Sequence, residues 1–588
     1  MLRFLARLKA AVWRIVTHAQ PGNNKNHSVA PRTPGASRKK RPKTSGGTAR
    51  HVSPRMPAAE SNRKMSLLVY AAEILLLFAV IALVVRFIPD FSKKGAGEST
   101  YESSEEQTKE KENPKESSAA QDVSKPDEDS GGDAALDGAK IQKAKRPSRS
   151  VTEESEPAEE EKPYVPPTMI VASDLHYQSP KMTDFRESLD TYTEWNDGTV
   201  VPYLDVIADA FLEEVMMKKP SVLILSGDIS QNGEKVNHQE LAKKLKQVQD
   251  AGIPVLVIPG NHDINHPWAA SYFDNKKEEA KGTTPSEFYE IYHEFGYDQA
   301  SSRDEDSLSY LYRLDEHYWI MMLDSCIYEP VHETGGRIKK ETLAWMERQL
   351  EEAKEAGAMV IPVAHHNLLK ESTLYPEECT LENNREVIDL LEEYHLPVYI
   401  SGHLHLQRIK KNVRGPLEEG EYGIYEIVSS SLAIPPCQYG IINWTNDGSF
   451  RYHTKEVDIS GWAERYQEED PNLLNFKEYS SQFLVDIISN QTFKGLESIP
   501  DERKREMAQL YGDLNSAYCS GKPINAARIK SSRTYFYWER YLGTSKWFDR
   551  LSAILKDTKK DHNSLSLKAG KDFPAWLPAE SGLNMNKE

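Results

Sequence analysis

Five polar motifs combine aspartate, asparagine and histidine at spacings that suit metal binding and proton transfer. They are Asp174-Leu-His176, Gly227-Asp228, Gly260-Asn-His-Asp263, Ala364-His-His-Asn367 and Gly402-His-Leu-His405. Oxygen and imidazole ligands without a thiolate suit manganese, iron or zinc. The donors are too many for one four-coordinate zinc ion. They suit two cations about 3.5–4 Å apart with a carboxylate between them, and Asp228 is the natural bridge.

Each motif follows a short apolar run that predicts a buried strand. These runs are 168–173, 221–226, 253–258, 358–363 and 397–401, with a sixth run at 318–323. Helical patterns lie between them at 203–218, 239–251, 340–356 and 384–394. Strands that alternate with helices indicate an α/β domain. Because ligands gather at the carboxyl ends of parallel strands, we expect the five motifs to meet in one place.

The later part of the chain changes character twice. Runs at 422–428, 440–444 and 449–453 alternate like antiparallel strands and predict a second, mixed sheet. From about Asp458 to Lys568 the pattern is helical and rich in aromatic residues. Most of these aromatics recur at helical spacing, which favours the core of a small helical C-terminal domain over a binding platform.

In order and residue type, the five motifs resemble those of the calcineurin-like metallophosphoesterase superfamily over about residues 168–455. The runs after Gly227 and Asn261, with the added C-terminal helices, are most similar to its bacterial branch near cyclic-nucleotide phosphodiesterases. The resemblance implies an α/β/β/α sandwich of two mixed sheets. It implies one divalent cation (Mn, Fe or Zn) held by Asp174, His176, Asp228 and His405. It implies a second cation held by Asp228, Asn261, His365 and His403.

The resemblance also implies a catalytic histidine, His262, which contacts the phosphate and assists the departing oxygen. Asp263 is expected to orient His262 from outside the metal ligands. The fourth motif offers two histidines, and successive side chains leave a strand in opposite directions. We choose His365 as the ligand and keep His366 as the alternative. His266, His317, His332 and His395 are expected to be ordinary surface or core residues.

The expected activity is hydrolysis of small phosphodiesters, foremost cyclic nucleotides, by a metal-activated hydroxide. Two alternatives remain: hydrolysis of cell-envelope phosphodiesters of the glycerophosphodiester or teichoic type, and a non-catalytic scaffold. Long insertions at 177–202 and 264–306 are expected to form part of the substrate wall. Their aromatics either stack on a base or sugar or pack on the surface; they are Tyr177, Trp195, Trp268, Tyr272 and Phe273.

The N-terminal part predicts a membrane anchor. Residues 1–65 are basic, and we expect most of them to be disordered. Residues 66–88 are apolar enough for a transmembrane helix. Residues 89–163 are expected to form a disordered charged stalk. Basic residues precede the helix, so the N-terminus is expected in the cytoplasm and the catalytic domain outside the cell membrane. The predicted domains are then 164–457, metallophosphoesterase, and 458–568, helical, with a tail at 569–588.

Charge and cysteine content narrow the function classes. The formal net charge is −17, which argues against a nucleic-acid polymer as partner, because no broad basic face would neutralise its phosphates. The four cysteines are scattered without a CxxC pair, a pattern that fits neither a disulfide framework nor a structural zinc site.

Overall fold

The structure is a computed structural model that describes residues 164–184, 197–374, 379–413, 423–497 and 499–574. Three predicted segments lie outside these residues: the basic segment 1–65, the transmembrane helix 66–88 and the charged stalk 89–163. Within the described ranges, no helix combines the length and the apolar character that crossing a bilayer requires.

Two mixed sheets form the centre of the catalytic region. Numbered along the chain, the strands are β1 (Thr168–Ala172), β2 (Val222–Ser226), β3 (Val255–Ile258), β4 (Ala270–Phe273), β5 (Lys276–Glu279), β6 (Ser302–Arg303), β7 (Tyr310–Arg313), β8 (Tyr318–Leu323), β9 (Cys326–Ile327), β10 (Glu333–Gly336), β11 (Met359–Ala364), β12 (Val398–Ser401), β13 (Arg408–Lys411), β14 (Tyr425–Val428), β15 (Gln438–Trp444), β16 (Phe450–Glu456) and β17 (Ser564–Leu567). The first sheet has the order β17-β16-β15-β1-β2-β3, and the second has the order β13-β14-β12-β11-β8-β7-β6. The motif-bearing strands are parallel within each sheet.

Helices cover the outer faces of both sheets and make up most of the C-terminal region. They span Leu204–Lys218, Lys235–Asp250, Pro285–Tyr292, Lys340–Ala356, Asn384–Glu393, Ile459–Arg465, Pro471–Leu474, Phe476–Gly495, Asp501–Cys519, Ala526–Lys530, Arg533–Leu542 and Lys546–Asp557. The last seven of these helices form the C-terminal helical region.

Strand β8 shows how the layers stack. Ile320 and Met322 belong to the apolar core shared with the first sheet. Trp319 and Met321 instead pack into a second core with the helix Lys340–Ala356. Because successive side chains of a strand point to opposite faces, the second sheet lies between the first sheet and that helix. The predicted α/β arrangement with two mixed sheets and a helical C-terminal region is therefore confirmed.

The predicted assignment of the later strands is wrong in detail. Strands β15 and β16 do not build a sheet with β14; β15 pairs antiparallel with β1 and extends the first sheet. Strand β14 pairs parallel with β12 in the second sheet. The region predicted as wholly helical also contributes β17, which pairs with β16. Alternation predicts that a strand has two different faces, but it does not say which neighbour the strand joins.

The C-terminal helices pack against the fifth motif. Leu404 and Leu406 are buried in one apolar cluster with Met507, Trp538 and Leu551. Trp538 is fully buried and its indole N–H donates to the Met507 carbonyl at 3.1 Å. In residues 402–406 the leucines therefore face the C-terminal core, while the intervening histidines remain available to the site.

Candidate metal centre

Four side chains from the first, second and fifth motifs form the first ligand group. The ligand atoms of Asp174, His176, Asp228 and His405 all lie within 4.8 Å of one another. Nε2 of His176 is 3.0 Å from Nε2 of His405, which is 3.3 Å from Oδ1 of Asp174. The Asp174 and Asp228 carboxylates are fully buried.

The second group contains Asp228, His365 and His403, again with ligand atoms within 4.8 Å of one another. Nε2 of His365 is 3.2 Å from Oδ2 of Asp228 and 3.2 Å from Oδ1 of Asn261. Nδ1 of His403 lies 3.2 Å from the same Nε2. The amide oxygen of Asn261 therefore faces this group, as the resemblance implies.

Asp228 belongs to both groups. Its Oδ1 accepts the backbone N–H of His262 at 2.7 Å. Its Oδ2 is 3.2 Å from Nε2 of His365 and 4.0 Å from Nε2 of His176. One carboxylate oxygen thus lies between an imidazole of each group, which is the position of a bridging ligand.

The backbone at the strand ends is held in a conformation that few residues adopt. Five predicted ligands have φ between 43° and 69°: Asp174, His176, Asp228, His403 and His405. The left-handed region costs a non-glycine residue of order 1–3 kcal/mol, and such strain gathers at functional sites. At Gly260, a Cβ would overlap the backbone nitrogen and Oδ1 of Asp228, so only glycine allows these two loops to touch.

The donor set fits a pair of divalent cations. Buried carboxylates are costly unless cations compensate them. The imidazole nitrogens of His176 and His405 face each other at 3.0 Å, and those of His365 and His403 at 3.2 Å, so each pair directs two nitrogens at a common point. The Ser226 carbonyl accepts Nδ1–H of His365 at 3.0 Å, so Nε2, which lies 3.2 Å from Oδ2 of Asp228, is the nitrogen that a cation would bind after its proton has left.

The electrostatics of the histidines follow their partners. Burial opposes a charge on His365, but the adjacent Asp228 carboxylate outweighs burial and raises the pKa of His365 to about 9. Burial also opposes a charge on His405, yet Asp197 and Asp174 raise its pKa well above the ordinary value. Burial and the neighbouring His262 lower the pKa of His176 to about 4. Two imidazoles of the centre therefore hold protons that bound cations would replace.

His262 lies beside the first group, and its ring is oriented by the second motif's loop. Its centroid is 4.9 Å from that of His176. Nδ1 lies 3.0 Å from the Gln231 carbonyl and 3.1 Å from Oδ1 of Asn232. Because a carbonyl only accepts, Nδ1 carries the proton, and Nε2 remains for a reacting group.

The predicted bond from Asp263 to His262 is wrong. The Asp263 carboxylate accepts the backbone N–H groups of Gly260 at 2.8 Å and Ser230 at 2.9 Å, and the Ser230 hydroxyl at 2.8 Å. Asp263 thus fastens the third motif to the loop of the second. Adjacent residues point different ways, so proximity in sequence does not place the carboxylate against the neighbouring ring.

The ring of His366 lies 4.6 Å from that of His403, but its nitrogens bond to residues outside the second group. Its Nδ1 is 2.8 Å from the Ser325 hydroxyl and its Nε2 is 3.0 Å from the Thr334 carbonyl. Both ring nitrogens are therefore engaged elsewhere, and His365 is the histidine that this motif brings to Asp228. Its role as a ligand stays a prediction.

Three side chains near the centre had no role in the sequence interpretation. Asp197, in the first insertion, bonds Nδ1 of His405 and so fixes the orientation of that ring. The ring of His266 stacks on His262 with 4.6 Å between centroids, and His332 contacts the Asn261 carbonyl through Nε2 at 2.6 Å. The placement of His266 four residues after His262, the predicted catalytic histidine, was the only signal in the sequence of its nearness. Asp197 and His332 reach the site through loops, and sequence spacing gives no sign of that.

Comparison with known proteins identifies two parts of the chain. Residues 167–407 match the family model of calcineurin-like phosphoesterases. Residues 458–561 match the model of the C-terminal domain of cyclic nucleotide phosphodiesterase.

Individual relatives are distant. The chain is 22% identical over 188 residues to a probable cyclic nucleotide phosphodiesterase of Xenorhabdus bovienii (strain SS-2004), covering 32% of this chain and 62% of that protein. A probable cyclic nucleotide phosphodiesterase of Vesicomyosocius okutanii subsp. Calyptogena okutanii (strain HA) is 21% identical over 185 residues, which are 31% of this chain and 62% of that protein. The match thus spans less than two thirds of either relative.

Among solved structures, a dimetal phosphatase from Danio rerio is similar with a TM-score of 0.35 and 14% identity, over 50% of this chain and 96% of that one. The five motifs, their convergence at the strand ends and the family model agree. Residues 167–407 therefore match the calcineurin-like phosphoesterase family, as the motifs in this region predicted.

Proposed function

We propose that the protein is a dinuclear-metal phosphodiesterase that hydrolyses small phosphodiesters, with cyclic nucleotides as the substrate class. One observation carries the proposal: the two ligand groups share Asp228, and His262 lies beside them. The names of the two distant relatives and the match of residues 458–561 support the choice of cyclic nucleotides.

The chain's own residues would divide the work as follows. Asp174, His176, Asp228 and His405 would hold one cation, and Asp228, Asn261, His365 and His403 the other. When bound, the two cations supply Lewis-acid polarisation of the phosphoryl group and acidify water enough for attack near neutral pH. Their coordination would also compensate the charge of the buried carboxylates.

His262 supplies the proton at the leaving side. Nδ1 is committed to the Gln231 carbonyl at 3.0 Å, so the reacting atom is Nε2. In the imidazolium form Nε2–H donates to the departing oxygen, which leaves as an alcohol rather than an alkoxide. Gln231 and Asn232 keep the ring in this orientation throughout the reaction.

A direct assay tests the activity. The purified chain, stripped with a chelator and reloaded with Mn²⁺, is tested against bis(p-nitrophenyl) phosphate and then against cyclic AMP. The proposal expects turnover of both, absent from the stripped protein. Turnover of the dye ester but not of cyclic AMP would favour an envelope diester as substrate. Absence of turnover with Mn²⁺, Fe²⁺ or Zn²⁺ would contradict the enzymatic proposal and favour the scaffold.

We also propose that residues 66–88 anchor the protein to the cell membrane, with residues 1–65 in the cytoplasm and the catalytic domain outside. The support is sequence alone: an apolar run of near-spanning length after a basic segment. The same proposal divides the chain at 163/164, 457/458 and 568/569. Protease added to intact cells should release a fragment containing residues 164–457; a fragment that appears only after lysis would contradict this orientation.

A further inference from the structure

The five aromatics of the insertions that were candidates for substrate contact differ in their burial. Tyr177 and Tyr272 are buried, and the Tyr177 hydroxyl donates to Asp205 at 2.7 Å, so both belong to the core. Trp195 lies outside the described residues. Trp268 and Phe273 remain, with 61% and 42% of their surface exposed.

Of these two, Trp268 is connected to the catalytic histidine through a short series of rings. His266 is stacked on His262, with centroids 4.6 Å apart and planes within 20° of parallel. The indole of Trp268 meets the His266 ring edge-on at 5.4 Å. The backbone N–H of Trp268 also donates to Nδ1 of His266 at 3.4 Å, which fixes the turn between them. The indole of Trp268 is therefore linked to His262 through one intervening ring, that of His266.

The ring between them is held from a second direction. His332 meets His266 edge-on at 4.8 Å, and its Nε2 lies 2.6 Å from the Asn261 carbonyl. Only 8% of the His266 surface is exposed, so it serves as a fixed support. The exposed indole of Trp268 thus packs against the fixed ring of His266, which itself stacks on His262. The indole thereby presents a large aromatic surface to solvent beside the site.

We propose that Trp268 is the platform on which the nucleobase of a nucleoside phosphodiester stacks, with His266 as its positioning residue. This proposal rests on the proposed phosphodiesterase function and names its substrate class. Every nucleobase has a π-face that stacks on an indole, whereas a glycerol or polyol group has none. Trp268 would therefore favour nucleotides over envelope diesters of the glycerol type.

Calorimetry on the Mn²⁺-loaded full chain tests the platform without requiring turnover. The probes are adenosine 5′-monophosphate and glycerol 3-phosphate, which share the phosphate and differ in the base. We expect the wild-type protein to bind the nucleotide more tightly. Trp268→Ala should weaken nucleotide binding about 5- to 150-fold and leave glycerol 3-phosphate within about twofold. Trp268→Phe, which keeps an aromatic face, should retain most of the nucleotide affinity.

Phe273→Ala is the matched control, since it removes an exposed aromatic from the same insertion and should alter neither affinity. The proposal is overturned if Trp268→Ala weakens both probes equally, if it leaves the nucleotide unaffected, or if the wild type does not distinguish the two probes. Because binding is measured directly, a chain that binds nucleotides through Trp268 but hydrolyses no diester would refute the proposed function and not the platform.

Discussion

At the scale of single residues, His262 and the predicted metal ligands have different functions, which can be tested separately. His262 lies outside both ligand groups, and its Nδ1 is held by the Gln231 carbonyl. We predict that His262→Asn keeps the metal content of the wild type but lowers kcat about 10²- to 10⁴-fold for a diester with an alkyl leaving group. The loss should be smaller for p-nitrophenolate, a weak base that departs without a proton.

The measurement is kcat for both kinds of diester, with metal content determined by elemental analysis on the same samples. Equal losses for the two leaving groups would show that His262 acts on something other than the departing oxygen. Loss of metal would place it among the ligands.

Metal binding at this centre should depend on pH with a definite sign. Asp228 raises the pKa of His365 to about 9, so the metal-free protein holds a proton there at pH 7. A cation binds only the neutral imidazole, and its binding must displace that proton. We predict that the affinity for Mn²⁺ increases from pH 7 to about pH 9. Calorimetry in buffers of different ionisation enthalpy should also detect proton release at pH 7; an affinity independent of pH would contradict the assignment.

At the scale of elements, the loop after β2 and the loop after β3 are in close contact at Gly260. A Cβ at Gly260 would overlap the backbone of Asp228, so Gly260→Ala must push the bridging carboxylate away. We predict that this variant binds less than one Mn²⁺ per chain while its helix content is unchanged. Gly282→Ala is the control, because its Cβ would meet nothing closer than 3.9 Å. Full metal content in Gly260→Ala, measured by elemental analysis, would show that the two loops do not need this contact.

The strand ends could be predicted from sequence because apolar runs stop at polar motifs, as at Ile258 and Ser401. The partners of β14 and β17 could not, because periodicity records burial and not the neighbouring strand. The candidate ligands followed from residue type. The positions of Asp197, Asp263 and His332 did not, because loop conformation decides which side chains meet across distant segments.

At the scale of the whole molecule, the C-terminal helices pack against the segment that carries the fifth motif. Leu404 stands between His403 and His405 and packs with Met507 and Trp538. Further along the same segment, the backbone N–H of Gln407 donates to the Cys519 carbonyl at 3.0 Å. The helical region therefore holds the loop that brings His403 and His405 to the two ligand groups.

We predict that Leu404→Ala lowers the free energy of unfolding by about 2–5 kcal/mol, as a buried leucine truncation does, and also weakens Mn²⁺ binding. Leu474→Ala, at a residue that is 37% exposed in the C-terminal region, is the control and should change neither quantity appreciably. Denaturant unfolding and metal titration check both effects. If Leu404→Ala destabilises the fold but binds Mn²⁺ with wild-type affinity, the helices do not position the loop.

Anomalous diffraction from crystals of the Mn²⁺-loaded chain tests most directly whether Asp228 joins two cations. The geometry predicts two peaks about 3.5–4 Å apart with the Asp228 carboxylate between them. One peak should lie among Asp174, His176 and His405, and the other among Asn261, His365 and His403. A single peak, or peaks that leave Asp228 uncoordinated, would contradict the dinuclear centre.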